Sequence, residues 1–212
     1  MGLTRLGSAW HSPIDRVLAG IGGEGEPPEL PATDGLAELL DLVVTWNERI
    51  DLTAARTPEE LVDLFVADAA LLARHARSGA SWVDVGSGGG APGLPLGILR
   101  RDLSITLVEP RIKRVAFLRS AIGSLKLERV RAERKRAEDL EAGSFDTAVS
   151  RATFSPQKWL ELAGRLIRDD LWILVAKAEA PALAGFRVAD DLRYRWPLTG
   201  AERRALRIVR ES

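Results

Sequence analysis

Apolar side chains recur every three or four residues in two stretches of the first third of the chain. The first stretch, residues 36–50, predicts an amphipathic helix that the polar residues from Asn47 onwards bring to an end. The second, residues 57–72, opens with a hydroxyl cap, a proline at the first helical position and a glutamate three residues after the cap, namely Thr57, Pro58 and Glu60. We therefore expect an N-terminal helical extension over residues 36–78.

From residue 81 onwards, short apolar runs alternate with stretches of helical spacing. The runs predict strands at residues 82–85, 105–108, 145–149 and 171–176. The stretches between them predict helices over residues 94–99 and 112–125, and a third helix that opens at Ser155-Pro156. Near-continuous apolar strands separated by helices indicate a parallel sheet that is covered on both faces.

The last part of the chain has a different pattern. Residues 192–197 and 205–209 predict two strands joined by a short loop, which makes them antiparallel. An α/β fold with a mostly parallel sheet and a C-terminal antiparallel hairpin is the Rossmann-like fold expected of class I S-adenosylmethionine-dependent methyltransferases. We assign this domain to residues 79–212. Residues 1–35, rich in Gly, Pro and Glu from residue 20 onwards, are expected to form a flexible or irregular segment.

The strongest candidate for a binding site is the glycine-rich turn after the first predicted strand. Gly86, Gly88 and Gly90 permit backbone angles forbidden to other residues and let a ligand approach without meeting a Cβ. With Ala91 in the third glycine slot, the turn also satisfies the dinucleotide fingerprint. Glu109, at the end of the second strand, suits the ribose of either cofactor. A tight turn with no ligand is the third interpretation.

Two neighbours of the turn favour S-adenosyl-L-methionine. Asp84 precedes the glycines and suits contacts near the methionine end of that cofactor, although a carboxylate there can also cap a helix. Pro92 follows the glycines and removes a backbone donor at the helix N-terminus that a pyrophosphate would need. S-adenosylmethionine carries no phosphate and does not need that donor.

Composition removes several classes of protein. The chain has no cysteine and only two histidines, which excludes a disulfide scaffold and makes a metal site improbable. No apolar run approaches the roughly 18 residues that span a bilayer, and the N-terminus has no secretory pattern. We expect a cytoplasmic monomer with no membrane partner.

Net charge is zero, but the two halves differ. Residues 1–100 carry 7 Lys and Arg against 14 Asp and Glu, whereas residues 101–212 carry 23 against 16. Residues 111–136 alone contain ten basic residues against Glu128 and Glu133. This basic stretch suits contacts with phosphates, or it is a solvated surface with no partner.

Several motifs together resemble the bacterial small-subunit (16S) ribosomal RNA guanine-N7 methyltransferases, also called glucose-inhibited division protein B. The similarity runs from about Leu36 to Val209. It is carried by residues 46–54 (Trp-Asn-Glu-Arg-Ile-Asp-Leu-Thr-Ala), the glycine turn with its trailing Pro-Gly-Leu-Pro-Leu, Lys-Arg-Val-Ala-Phe-Leu at 113–118, Arg-Ala-Glu at 136–138, Ser-Arg-Ala at 150–152 and Lys177.

The resemblance implies roles for individual residues. Cofactor binding falls to Gly86, Ala91, Ala137, Glu138 and Arg151, with Glu109 on the ribose. Arg151 would also position the reactants by holding the cofactor carboxylate or a substrate phosphate. No acid or base is required, because guanine N7 offers a lone pair and has no proton to lose. Lys113, Arg114 and Lys177 are the expected contacts to ribosomal RNA or the small subunit.

The chain departs from the family pattern at Phe65, Ala69, Ala91 and Ala178. These positions leave other functions open: a methyltransferase with a small-molecule or protein acceptor, or a non-catalytic RNA- or nucleotide-binding module. An NAD-dependent oxidoreductase is disfavoured by Pro92. The cofactor is therefore predicted more firmly than the methyl acceptor.

Overall fold

The structure is a computed structural model that describes residues 3–21, 32–151, 153–176 and 179–211. Within these residues the α-helices are α1 His11–Gly20, α2 Ala32–Asn47, α3 Pro58–Val62, α4 Asp68–His75, α5 Gly93–Leu99, α6 Ile112–Ser124 and α7 Pro156–Leu166. The strands are β1 Ser81–Val85, β2 Ser104–Val108, β3 Val130–Glu133, β4 Phe145–Arg151, β5 Ile167–Val175, β6 Phe186–Arg195 and β7 Glu202–Arg210.

The strands form one sheet in the order β3-β2-β1-β4-β5-β7-β6. The first five strands run parallel, while β7 is antiparallel to both β5 and β6. The order reverses between β1 and β4, and ligands of open α/β sheets bind beyond the carboxyl ends of the strands at such a point. The predicted α/β fold with a C-terminal antiparallel hairpin is confirmed.

Two apolar clusters cover the two faces of the sheet. One contains Trp82, Leu107 and Trp172 with side chains from the N-terminal helices, α5 and α6. The other contains Val83 and Ala148 with Trp159 and other side chains of α7. Burial of the strands on both faces explains why their sequences are almost continuously apolar. None of the helices in the described part of the chain is both long and apolar enough to cross a membrane.

The prediction of an irregular segment over residues 1–35 is wrong for much of its described part. A short 3₁₀ helix at Gly7–Trp10 leads into α1, and α2 already begins at Ala32. Trp10, Ile14 and Val17 are fully buried, which anchors this segment to the core. Three apolar residues at helical spacing were too few to stand out from the polar residues around them. The expected flexible connector at residues 22–31 lies outside the described residues, and the division into domains stays a prediction.

The helical extension is continuous between α3 and α4 but changes its winding. Thr57 caps α3, as predicted, by accepting a hydrogen bond from the N–H of Glu60 at 3.2 Å. A π-helical turn, Asp63–Ala67, then joins α3 to α4. Such turns interrupt the regular ladder of backbone hydrogen bonds and are frequent at functional sites. In the π-helical turn, Leu64 accepts a hydrogen bond from Arg151 at the end of β4, which places the turn beside the carboxyl edge of the sheet.

Candidate active site

The glycine turn leads from β1 into α5 at the edge where the strand order reverses. Gly86, Gly88 and Gly90 have φ angles of +75°, +55° and +91°. These angles lie in the left-handed region that side chains with a Cβ rarely adopt. The prediction that these glycines permit backbone angles forbidden to other residues is therefore confirmed at all three positions.

Glu109 at the end of β2 faces this turn directly. Its Oε2 accepts a hydrogen bond from the N–H of Gly88 at 3.1 Å, and its Oε1 accepts one from the N–H of Arg111 at 2.9 Å. Glu109 is only 3% exposed to solvent. The structure therefore brings together the acid and the glycine turn that the sequence separates by some twenty residues.

Asp84 lies beneath the turn and supports its return into α5. Its Oδ2 accepts a hydrogen bond from the N–H of Gly93, the first residue of α5, at 3.1 Å. Burial raises the pKa of this carboxyl to about 7, although the Gly93 N–H and the charge of Arg151 act to lower it. Because Asp84 already uses the first amide of α5, that helix end is poorly suited to a pyrophosphate.

Gly89, which the sequence pattern does not single out, is required by a close backbone contact. A Cβ at this position would lie only 2.7 Å from the carbonyl oxygen of Leu52. Leu52 belongs to the segment after α2, where Asn47 Oδ1 accepts hydrogen bonds from the N–H groups of Leu52 and Thr53 at 2.9 and 3.1 Å. The Trp-Asn motif at residues 46–54 thus forms a capped turn that packs on the glycine turn.

Arg114 ties the same two segments together. Its Nη2 donates to the carbonyl oxygen of Asp51 at 2.8 Å, and its Nη1 lies 3.5 Å from where a Cβ on Gly88 would stand. Arg114 is therefore half-buried beside the turn, whereas its neighbour Lys113 is exposed on the first turn of α6. Of the predicted RNA contacts, Lys113 is open to solvent and Arg114 borders the glycine turn.

Arg151, at the end of β4, points towards the π-helical turn. Its Nη1 donates to the carbonyl oxygen of Leu64 and lies 3.4 Å from Oδ2 of Asp68. Asp68 is buried, and its Oδ1 also accepts from the hydroxyl of Tyr194 at 2.7 Å and from Nε1 of Trp196 at 3.0 Å. One carboxylate thus joins the helical extension to β4 and to the C-terminal hairpin.

The predicted adenine element, Ala137 and Glu138, lies in a 3₁₀ helix at Ala137–Asp139 that follows β3. The carbonyl oxygens of both residues accept hydrogen bonds from Nη2 of Arg165 at 2.8 and 2.9 Å. Ala137 is buried, while Glu138 is exposed. Arg165 therefore fixes the backbone of this element from α7, a contact that the sequence did not indicate.

Thr153 covers the opening of the glycine turn. A Cβ on Gly86 would overlap the side chain of Thr153, whose Oγ1 lies 3.5 Å from the carbonyl oxygen of Gly86. At Gly88, by contrast, the nearest atom to such a Cβ is the Arg114 nitrogen, at ordinary contact distance. The backbone around Gly88, with the Glu109 carboxylate beside it, fits the ribose end of S-adenosylmethionine.

Three of the residues that depart from the family pattern lie in the described part of the chain, and all three are buried. Phe65 and Ala69 are 1% and 0% exposed and belong to the apolar cluster under the N-terminal helices. Ala91 is also buried, at 8% exposure, in the same cluster. These residues therefore do not line an open surface. Lys177 and Ala178 lie outside the described residues, as does Ala152 of the Ser-Arg-Ala motif.

Solved structures with the same fold include a SAM-dependent methyltransferase and a protein in complex with S-adenosylmethionine. A SAM-dependent methyltransferase from Aquifex aeolicus superposes with a TM-score of 0.53 at 17% identity, covering 71% of this chain and 92% of that one. A mutant of MtNAS in complex with S-adenosylmethionine gives a TM-score of 0.56 at 16% identity, covering 84% and 75%. At these identities the likeness establishes the fold alone.

Three sequence relatives carry the same name. Ribosomal RNA small subunit methyltransferase G of Anaeromyxobacter dehalogenans is 32% identical, covering 97% of this chain and all of the relative. The proteins of that name from Neisseria meningitidis serogroup C and Methylobacillus flagellatus are 34% and 37% identical, covering 84% and 72% of this chain and 86% and 76% of theirs. Residues 33–184 also match the GidB family, described as rRNA small subunit methyltransferase G. The chain therefore belongs to the GidB family of rRNA small subunit methyltransferases.

Proposed function

We propose that this protein transfers a methyl group from S-adenosyl-L-methionine to N7 of a guanine in small-subunit ribosomal RNA. The observation that carries the proposal is the junction of Glu109 with the N–H of Gly88 at the carboxyl edge of the sheet. This junction presents a carboxylate beside an open glycine backbone, as a ribose requires. Family membership and the shared name of the relatives support the RNA acceptor.

Residues of this chain would hold the cofactor along the edge of the sheet. Glu109 would accept hydrogen bonds from the ribose hydroxyls, and Gly88 would let the ligand approach the backbone, while Gly86 would provide the turn that leads to it. Ala137 and Glu138 would flank the adenine. Arg151 and Asp84 would face the methionine end, where Arg151 offers a guanidinium to a carboxylate. S-adenosylmethionine, when bound, supplies a methyl group on a sulfonium, a strong electrophile.

The acceptor atom needs no proton transfer. Guanine N7 would form the new N–C bond with its lone pair as the S–C bond breaks, so the positive charge passes from sulfur to the purine ring. The protein then contributes alignment, which brings the reacting atoms to near-attack distance. Both histidines are described residues that lie elsewhere: His11 pairs with Asp34, and His75 packs against Trp172. A mechanism without a general base agrees with this arrangement.

The RNA would reach the site across exposed basic residues. Lys113 on α6 suits a phosphate contact, and Arg114 would contact RNA near the glycine turn. Lys177 follows β5 and is proposed for the same role from its place in the sequence. We further propose that the enzyme acts as a cytoplasmic monomer on ribosomal RNA or the assembled small subunit.

Two measurements test the proposal in order. Calorimetry with S-adenosylhomocysteine tests the cofactor, and absence of binding would remove every methyltransferase function. Transfer of tritiated methyl groups to small subunits from a strain that lacks the modification tests the acceptor. Label on ribosomal RNA is the expected result, whereas label only on a small metabolite or a protein would refute the RNA assignment.

A further inference from the structure

A cavity of about 640 Å³ lies where the C-terminal hairpin meets the carboxyl end of β5. We call it the arginine cavity. Its lining consists of Ala176 after β5, three consecutive residues at the end of β6 and three at the start of β7, namely Arg193, Tyr194, Arg195, Glu202, Arg203 and Arg204. No motif of the sequence and no residue of the proposed cofactor site belongs to it.

The charges of the cavity are not balanced. Arg195 pairs with Glu202 at 3.0 Å, and Arg204 pairs with Asp191 at 2.7 Å. Within the described parts of the chain, neither Arg193 nor Arg203 forms an ion pair. The guanidinium of Arg203 lies instead over the ring of Trp196, with its central carbon 3.6 Å from the ring centroid. Stacking holds this cation in place without neutralising it.

The pairing of the two strands adds to the excess of positive charge. Arg193 lies directly opposite Arg204 in the register of β6 and β7. Like charges at directly opposed positions destabilise a strand pair. The Asp191 carboxylate pairs with Arg204 and also interacts with the charge of Arg193, so it offsets part of this repulsion. One carboxylate nevertheless serves two arginines, which leaves an excess of positive charge. An anion bound between the two strands would remove the repulsion.

The sheet places this cavity at the same edge as the proposed active site. Arg151 on β4 pairs with Leu174 on β5, which pairs with Ala205 on β7, which pairs with Leu192 on β6. Arg204 and Arg193 are each one residue from this row. Since neighbouring strands lie about 4.8 Å apart, the two arginines stand roughly 10 to 15 Å from the end of β4 along the edge.

We infer that the arginine cavity binds backbone phosphates of the ribosomal RNA strand that carries the target guanine. Guanidinium groups bind phosphate oxygens in bidentate fashion, and two of those in the cavity, Arg193 and Arg203, form no ion pair within the described residues. Lys113 lies on α6 next to the turn after β2, on the other side of the β1/β4 reversal from the hairpin. The strand would thus be held on both sides of the reacting base. The inference rests on the proposed function.

The test uses the double variant Arg193→Gln/Arg203→Gln and protein-free 16S ribosomal RNA. For single strands, each lost phosphate contact lowers the slope of log Kobs against log salt by about 0.7, so we expect the slope to fall by about 1.4. KM for the RNA should rise at least about fivefold with kcat unchanged, because phosphate contacts position the strand without taking part in the reaction. Calorimetry should give wild-type affinity for S-adenosylhomocysteine.

Two further variants control for folding and for general charge. Arg187→Gln removes one exposed arginine at the far end of β6 and should leave slope and KM at wild-type values. Arg193→Lys/Arg203→Lys keeps the charge and should retain most of the slope. An Arg193→Gln/Arg203→Gln protein with wild-type slope and KM would overturn the cavity inference alone. If RNA binding depends on these arginines as expected but the wild-type protein transfers no methyl group to the RNA, the proposed function alone would be overturned.

Discussion

The N–H of Gly88 donates a hydrogen bond to Oε2 of Glu109 across 3.1 Å, which joins the middle of the glycine turn to the end of β2. A second bond, from the N–H of Arg111 to Oε1, holds the other oxygen of the same carboxylate. Both oxygens are therefore fixed by backbone amides, so the acid is positioned before any ligand arrives. Preorganisation of this kind reduces the cost of binding.

Replacement of Gly88 by leucine should abolish cofactor binding. The residue has φ +55°, and a Cβ there would meet its nearest neighbours, an Arg114 nitrogen and the carbonyl oxygen of Gly86, only at 3.5 and 3.7 Å, so the larger leucine side chain would project into open space beside the turn. Gly79→Leu is the matched control, since Gly79 also has a positive φ of +70° but lies on an exposed loop with no neighbouring atom within 4 Å. Calorimetry with S-adenosylhomocysteine measures the difference. Wild-type affinity in Gly88→Leu would place the cofactor elsewhere.

Glu109→Gln should weaken cofactor binding by at least about tenfold, or about 1.4 kcal/mol. The amide keeps the size of the side chain but loses the charge and one acceptor, so the ribose hydroxyls and the two backbone amides compete for a single oxygen. Glu128→Gln, an exposed acid after α6, should bind like wild type. Equal affinities in both variants would exclude Glu109 as the ribose acid.

The raised pKa of Asp84 should make the free energy of unfolding depend on pH. Burial raises its pKa from an ordinary 3.8 to about 7, so between these values the folded chain keeps a proton that the unfolded chain has lost. The free energy of unfolding should therefore fall as pH rises from about 4 to 7, by at most about 1.4 kcal/mol per unit from this group.

Asp84→Asn should remove that loss of stability. The free energy of unfolding of the variant, measured with urea, should therefore increase relative to that of the wild type from pH 5 to pH 7. Asp102→Asn is the control. Its pKa is lowered, mainly by the hydrogen bond from Arg100, so the stability it contributes is complete above its ordinary pKa and constant over this range. A pH-independent difference for Asp84→Asn would show that the carboxyl stays ionised.

The junction at Asp68 should matter for stability. In Asp68→Asn, one acceptor becomes a donor among Arg151, Tyr194 and Trp196, and a buried group loses its partner. We expect the free energy of unfolding to fall by about 1 to 3 kcal/mol. Asp34→Asn removes a largely exposed partner of His11 and should change it by less than about 0.5 kcal/mol. Similar losses in both variants would argue against a structural junction.

Local signals were sufficient to predict where two helices begin. Thr57 and Ser155 both precede a proline, and each side chain accepts the backbone hydrogen bond expected of a cap, from Glu60 and Lys158. The alternation of strands and helices also predicted the sheet, because buried strands are read from apolar runs alone. Edge strand β3 was missed, since its Val-Arg-Ala-Glu sequence buries only alternate residues within a highly charged stretch.

The candidate site could be predicted only in part. The glycines and Glu109 occupy fixed places after β1 and β2, so their meeting follows from the fold. The contact of Gly89 with Leu52, the Thr153 side chain over Gly86 and the junction at Asp68 join segments whose relative placement depends on packing. No local pattern encodes such placement.

The most direct test of the account is nucleoside mass spectrometry of 16S ribosomal RNA. Small subunits from a strain that lacks the modification would be incubated with the protein and S-adenosylmethionine, and with the Glu109→Gln variant in parallel. We expect 7-methylguanosine to appear in the RNA with the wild-type protein, and to appear more slowly with the variant at limiting cofactor. Methylation of another atom or molecule, or RNA that stays unmodified while the cofactor binds, would contradict this expectation.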